Sequence, residues 1–555
     1  MKKRLQSGSF KFQKNDRIGA AGAEEDLALL QECFVDTGDL ALLESFDDNR
    51  VVLLGRTGTG KSALLTMLSS RNSPHVIHIS PENLALTYVT NSTILKFFSS
   101  LGVNLDPFFK LLWRHVLTVE ILSHYFPEKE GDKQKSLLDR LREFFSGTSK
   151  KDKDMQQAIS YLEGWGQNFW KETEFRVKEI TSTLEKELSS ALKAQVGSDL
   201  VSFGGDIGDV KKITETKRAE LLTRGQDVVS KAQVQDLQKV LKLLGTVLAD
   251  RQKKYYIVID GLDEKWVEER LRYKLIMALI QTARDFIEID NAKIIIALRR
   301  DLIERVFRLT RDSGFQEEKY QSLYLPLHWD KDDILAVLDR RIQKLFARRY
   351  TKQSVSHLDF LPQRFRGLSI GDYIYSVARR PRDVIAFFNT CIAAATDQPE
   401  LTTRELRIAE GEYSQKRLRA LGDEWSGDYP TLLDFTEILE RKPCTFKIIS
   451  LQEGDIEELC LLVAEKDPAG TGVLQKIAMQ VVDCVISIES FKFTLIQTFY
   501  RVGLVGLKLA PYERESWTDE LGRSVSSAEI TNDTSVTIHP SYRRALGVVE
   551  SPVDV

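Results

Sequence analysis

Between Gly55 and Ser62 the chain reads GRTGTGKS, which fits G-x-x-x-x-G-K-[ST] at every fixed position. Between an apolar run and a helix-forming run, that spacing is suited to holding phosphates. Gly55, Gly58 and Gly60 allow the backbone, with Arg56, Thr57 and Thr59, to fold tightly and turn its N–H groups inward on a phosphate chain. The N-terminus of the following helix adds donors and partial positive charge. Lys61 would reach the β- and γ-phosphates, and Ser62 would offer its hydroxyl to Mg²⁺.

A second constellation lies some two hundred residues on, in YYIVIDGLDE (255–264). An apolar run ending in Asp reads as a buried parallel strand whose carboxylate emerges where α/β sheets bind ligands. Asp260 has short reach and fixed direction, which suits Mg²⁺. Glu264, with Asp263 as the alternative, could polarise an attacking water. Gly261 follows Asp260 where ABC ATPases place Glu, and Ser202–Gly205 (SFGG) sits too far upstream to be their signature. In KIIIALRR (293–300), Arg299 and Arg300 stand at a strand tip, where they either touch a γ-phosphate or pair on the surface. In RRPRD (379–383), Pro381 either starts a helix or meets a nucleotide base, with Arg382 near the phosphates.

These residues need an α/β fold, a P-loop NTPase core with a parallel sheet, and the chain divides accordingly. Residues 1–50 read as a polar lead-in and short helices. The core occupies 51–101 and 250–328, with strands at 51–54, 75–80, 255–260, 293–298 and 320–327. Residues 102–249 form a helical insertion: Asp106 to Tyr125 is one helix, and two apolar stripes (Val177 to Leu192, Val234 to Leu248) suggest a hairpin whose tip is Gly197–Asp209. Glu128–Lys135 and Lys150–Asp154 read as solvated loops. A helical lid fills 329–400. Residues 401–555 are helical and end in helix, strand, polar loop and strand, a winged-helix-like pattern closing at His539.

Composition narrows the function. The net charge is -3 over 555 residues. Residues 401–555 hold 17 Lys and Arg against 25 Asp and Glu, which disfavours duplex binding through phosphate neutralisation. Nucleic acid is therefore not indicated by charge. The five cysteines are scattered without a C-x-x-C pair, which argues against zinc and fits a reducing cytoplasm. No apolar run reaches the ~20 residues needed to cross a membrane.

In this order, GRTGTGKS, YYIVIDGLDE, KIIIALRR, RRPRD and IHPSYRRAL resemble the STAND and KAP-like class of bacterial P-loop ATPases, of the kind found in phage-defence systems. The resemblance implies that Lys61, Ser62 and Asp260 hold ATP and Mg²⁺, that Arg299 is the sensor arginine, and that Pro381 is the proline of the lid. It implies that His539 touches bound ADP. It also implies nucleotide-dependent homo-oligomers and a separately encoded effector. The long insertion and the lack of a repeat sensor depart from the class. Two other functions fit less well: a DNA-engaging AAA+ initiator or loader with a winged helix, and a nucleotide-binding scaffold that hardly hydrolyses.

Overall fold

Apolar residues at every position from Val51 to Leu54 make a strand that must be covered on both faces, and it lies inside a parallel sheet. The computed structural model describes residues 10–549 apart from 85–88, 90, 128–136, 147–155, 158, 161–162, 164–172, 197–214, 235, 250–252, 311–316, 351–352, 467–471 and 519–524. The expected hairpin tip at Gly197–Asp209, the SFGG stretch and the two charged loops fall outside the described residues. The chain divides into two compact units, one of Gly38–Arg56 with Leu64–Leu327, the other of Met1–Thr37, Thr57–Ala63 and His328–Val555.

The first unit is α/β. Its five-stranded sheet has the order β2-β3-β4-β1-β5, with β1 Val52–Gly55, β2 Val76–Ile79, β3 Tyr255–Ile259, β4 Ala292–Arg299 and β5 Tyr324–Pro326. Every pairing is parallel. β3 is buried at all five positions and β4 at seven of eight, as near-continuous apolar strands require when helices cover both faces. The fifth strand is shorter than expected: Glu318–Gln321 is a helical turn. Pro326 closes β5, which is an edge strand and so tolerates a residue without an N–H.

Between β2 and β3 come the helices Thr93–Ser100, Asp106–Tyr125, Leu137–Ser146, Thr173–Val196, Glu215–Val234 and Asp236–Val247. The two expected stripes fall on Thr173–Val196 and Asp236–Val247, and a third helix, Glu215–Val234, lies between them. Glu215–Val234 mixes charged residues throughout and has a Gly at its middle, so it shows no clean apolar stripe. Gly225 is what lets it approach: a Cβ there would lie 2.6 Å from the Phe98 ring. Asp106–Tyr125 packs on Glu269–Phe286, where the Trp113 indole donates to the Leu275 carbonyl at 2.8 Å.

The second unit is mostly helical, with Lys331–Arg349, Ile370–Val377, Pro381–Ala394 and Thr403–Trp425 around one core. The segment read as a polar lead-in is part of that core from Phe10 onward. Phe12 is fully buried, its backbone pairs with Asp397 and Gln398, and buried Asp16 meets Arg349 at 2.6 Å. A second core gathers around the helix Ile488–Val502 and a three-stranded antiparallel sheet of Thr445–Lys447, Ser535–Ile538 and Val505–Lys508. The first of these strands escapes a sequence reading because only Phe446 of its three residues is buried. Among the described residues no helix is long and apolar enough to cross a membrane.

At the N-terminal edge of the parallel sheet a cavity of about 750 Å³ is lined by Asp48, Lys254, Asn291 and Lys293, among others. Buried Lys293 donates to the carbonyls of Leu42 (3.0 Å) and Ser45 (2.6 Å). Burial pulls its amine down from the usual lysine value of 10.5 to about 8. Between those values the unfolded chain binds the proton and the folded chain releases it, so stability rises with pH across that window. Urea denaturation of the native chain and Lys293→Met should therefore show the native chain gaining on the variant from pH 8 to 10.5. A constant difference would mean the amine is not shifted.

Candidate functional site

Because the five strands are parallel, their C-terminal ends share one edge of the sheet. In register Gly55 lies beside Arg299, and β3 and β2 bring Asp260 and Ser80–Glu82 to the same edge. After β3 the chain turns sharply. Gly261 has φ +77°, its N–H is accepted by the Asp260 carboxylate at 2.9 Å, and the Glu264 N–H donates to the Gly261 carbonyl at 3.1 Å. The Glu264 side chain folds back over this turn, 3.6 Å from where a Gly261 Cβ would stand.

Charges at this edge are arranged in opposition. Burial first, then a hydrogen bond that the protonated Glu264 carboxyl makes to Glu82, and the charges of Glu82, Asp263 and Asp260, push the Glu264 carboxyl above the ordinary carboxylate range. Arg299 makes two 3.0 Å contacts with Asp301 on the next helix and lies 3.8 Å from Asp263. Arg305 holds Asp301 from the other side at 2.9 Å. Arg300 faces Glu304 at 3.8 Å, one helical turn on. Asp263 and Arg299 thus meet each other, while Glu264 meets Glu82. A carboxyl with a raised pKa beside a strand-end aspartate is the kind of group that can exchange a proton in a site.

Glu82 and Arg272 were not among the expected site residues. Arg272, 8% exposed, donates to the Glu264 carbonyl at 2.7 Å and to that of Asp263 at 3.4 Å, pinning the acidic turn. Neither belongs to a motif. Glu82 follows a short strand, and Arg272 sits in a helix whose charged residues look alike in sequence. His78, on β2, is bonded to Ser69 at 2.9 Å, and burial lowers its pKa. Among the described residues no group of three or more His, Cys, Asp or Glu could hold a metal ion.

The rest of the Gly-rich loop, Thr57–Ala63, belongs to the other unit and is described with it. Gly58 and Gly60 have φ +83° and +94°, and Lys61 and Ser62 open the helix Lys61–Asn72. Successive carbonyls of the loop are capped by later residues. Arg380 donates to Thr57 O at 2.8 Å, the Arg382 N–H to Gly58 O at 3.4 Å, and the Trp329 indole to Thr59 O at 2.8 Å. A Cβ on Gly58 would come within 2.8 Å of the Arg382 Cβ. The Thr57 hydroxyl is buried without a hydrogen-bond partner, an orphan that a bound oxygen could satisfy. These features fit a phosphate-bearing ligand.

Pro381 is the first residue of its helix. Arg380 before it is also bonded to Asp383 at 2.7 Å, and Arg379 lies over the rings of Tyr375 and Trp517 at 5.8 and 5.0 Å. Trp517 meets His539 edge-on at 5.1 Å. His539, 7% exposed, accepts the Ser541 N–H on Nδ1 at 3.2 Å, and Ser541 donates to Val377 O at 2.5 Å. Structure therefore gathers the expected residues into two sets. Gly55, Arg56, Asp260, Asp263, Glu264, Arg299 and Arg300 fall in one unit; Thr57–Ser62, Pro381, Arg382 and His539 fall in the other.

Residues 332–422 match the family model described as the FunZ-associated C-terminal helical domain. That segment contains Arg380 and Arg382. Over 543 residues, 95% of this chain, the sequence is 20% identical to the putative transposon gamma-delta 80.3 kDa protein of Escherichia coli (strain K12). The chain spans 66% of that relative's length.

Gly58→Ala should unlatch the loop. A left-handed φ costs a residue with a side chain ~1–2 kcal/mol, and the new Cβ strikes the Arg382 Cβ, which cannot swing aside. Hydrogen exchange over residues 55–63 should accelerate in this variant. Unchanged exchange would show that the Gly58–Arg382 contact does not hold the loop.

Proposed function

We propose that this protein is an ATP-binding and ATP-hydrolysing switch of the STAND or KAP-like P-loop kind. Its core would be a P-loop NTPase sheet, and its C-terminal sheet and helix a winged-helix-like unit. The single observation that carries this reading is the loop Gly55–Ser62. It leaves a parallel strand, turns through two glycines at positive φ, and runs directly into a helix opened by Lys61 and Ser62. Such a loop presents backbone N–H groups to phosphate oxygens.

In this reading Lys61 neutralises the β- and γ-phosphates, and Ser62 and Asp260 hold Mg²⁺. Held by Ser62 and Asp260, Mg²⁺ would supply neutralisation of phosphate charge. A metal that arrives with its nucleotide needs no preformed three-ligand cage. Glu264 accepts the proton of the attacking water, Arg272 holds its turn, and Asp263 orients Arg299. Arg300 is the second cation at that edge. Pro381 and Arg382 contact the nucleotide, and His539 reads its state for the C-terminal sheet. Homo-oligomerisation, a separate effector and a role in phage defence are part of this proposal and rest on the family resemblance. The relative's transposon name supports a second reading, a DNA-engaging ATPase, for which steeply salt-dependent duplex binding would be the sign.

Two variants test the chemistry. Lys61→Ala should remain folded and lose ATP affinity. Glu264→Gln should bind ATP but hydrolyse it ~10²–10⁴-fold more slowly in single turnover, with Asp263→Asn losing less. A folded Lys61→Ala chain with native affinity would sink the phosphate site. Full turnover in both acidic variants would leave a binding switch rather than an ATPase.

The pH profile supplies a further check. Glu264 works as a carboxylate, so its raised pKa places the acid limb of hydrolysis above the ordinary carboxylate range. Glu82→Gln removes one contributor to that shift and leaves the larger one, burial. The limb should move part of the way to lower pH. If it stays where it is, Glu82 does not control Glu264.

A further inference from the structure

We infer that Trp329 and Arg380 are positioning residues that hold the Gly-rich loop with its N–H groups turned toward the phosphates. This inference rests on the nucleotide-binding reading above and adds how that site is preorganised. Arg380, the Arg382 backbone and Trp329 donate in turn to the carbonyls of Thr57, Gly58 and Thr59. In a planar trans peptide the carbonyl of one residue and the N–H of the next point to opposite sides. Fixing those three carbonyls on the side of residues 329 and 380–382 therefore turns the N–H groups of Gly58, Thr59 and Gly60 to the other side. Those three groups are the ones a phosphate chain would meet.

The donors are themselves held. Trp329 accepts the Tyr375 hydroxyl on its carbonyl at 3.2 Å and packs against the core of the helical unit. Its ring lies 3.5 Å from where a Gly60 Cβ would be. Arg380 is 7% exposed and bonded through Nε to Asp383, which Arg417 also approaches at 3.5 Å. Trp has one donor and no acceptor, and Arg only donors, so both can do nothing but face the carbonyl side of the loop. A loop held this way loses less conformational freedom when it binds.

The test separates action through the loop from contact with the base or ribose. The probes are MgATP and magnesium tripolyphosphate, which has the phosphates alone. Trp329→Phe removes the indole N–H and keeps a ring; Arg380→Met removes the other donor; Arg380→Lys keeps one donor and should recover part of the loss. Each lost bond should weaken ATP and tripolyphosphate by the same factor, roughly 2- to 12-fold, and hydrogen exchange at residues 58–60 should rise. Weaker ATP with unchanged tripolyphosphate would overturn the proposal and make these side chains base or ribose contacts. Native affinity and exchange in Trp329→Phe and Arg380→Met would overturn it as well. Exchange needs no ligand, so it tests the brace even if the native chain binds neither probe, the result that would instead sink the nucleotide reading.

Discussion

Thr57, Gly58 and Thr59 present three successive backbone carbonyls, and each accepts a hydrogen bond from a residue far along the chain. Two of their donors, Trp329 and Arg380, come 270 and 323 residues later. A buried peptide group left without a partner costs about as much as a lost hydrogen bond, so the loop and the segments 329 and 380–382 have to be built together. That requirement explains why Gly58 has no side chain: Arg382 already occupies the space. It also explains why Arg380 is buried and tied to Asp383 rather than left to move in solvent.

The segment that follows is equally constrained. Arg379, next to Arg380, is stacked on Trp517, and Trp517 meets His539. Ser541 reaches back to Val377. Residues 377–382 therefore touch both the Gly-rich loop and, through Trp517 and Ser541, the segments that flank the C-terminal sheet. A displacement of this segment by a ligand would be felt at both, because packed side chains shift as units rather than yield gradually.

At the sheet edge the organising fact is electrostatic. Four acidic side chains, Glu82, Asp260, Asp263 and Glu264, stand around the ends of β2 and β3, and Arg299 lies 3.8 Å from one of them, Asp263. Arg299 is committed to Asp301 and Asp263, which leaves Glu264 facing another carboxyl. Like charges brought together and partly shielded from water raise a pKa. The same turn thus holds two acids with different partners, Arg299 for Asp263 and Glu82 for Glu264.

The sequence alone determined the α/β class, the five strands of the parallel sheet and the Gly-rich loop. Each rests on local patterns: continuous apolar runs, positive-φ glycines at fixed spacing, and a helix-forming run after Lys61. It also marked Asp260, Asp263 and Glu264 by their place at the end of an apolar strand. It did not reveal the burial of Phe10 to Ile18, the third strand at Thr445–Lys447, or the middle helix of the insertion, where local signals are weak or mixed. Nor did it single out Glu82, Arg272, Trp329 or Arg380. Trp329 and Arg380 act on backbone carbonyls 270 and 323 residues away, Arg272 on carbonyls eight and nine residues before it, and Glu82 on the side chain of Glu264. Only the tertiary structure decides which carbonyl an arginine or indole will meet.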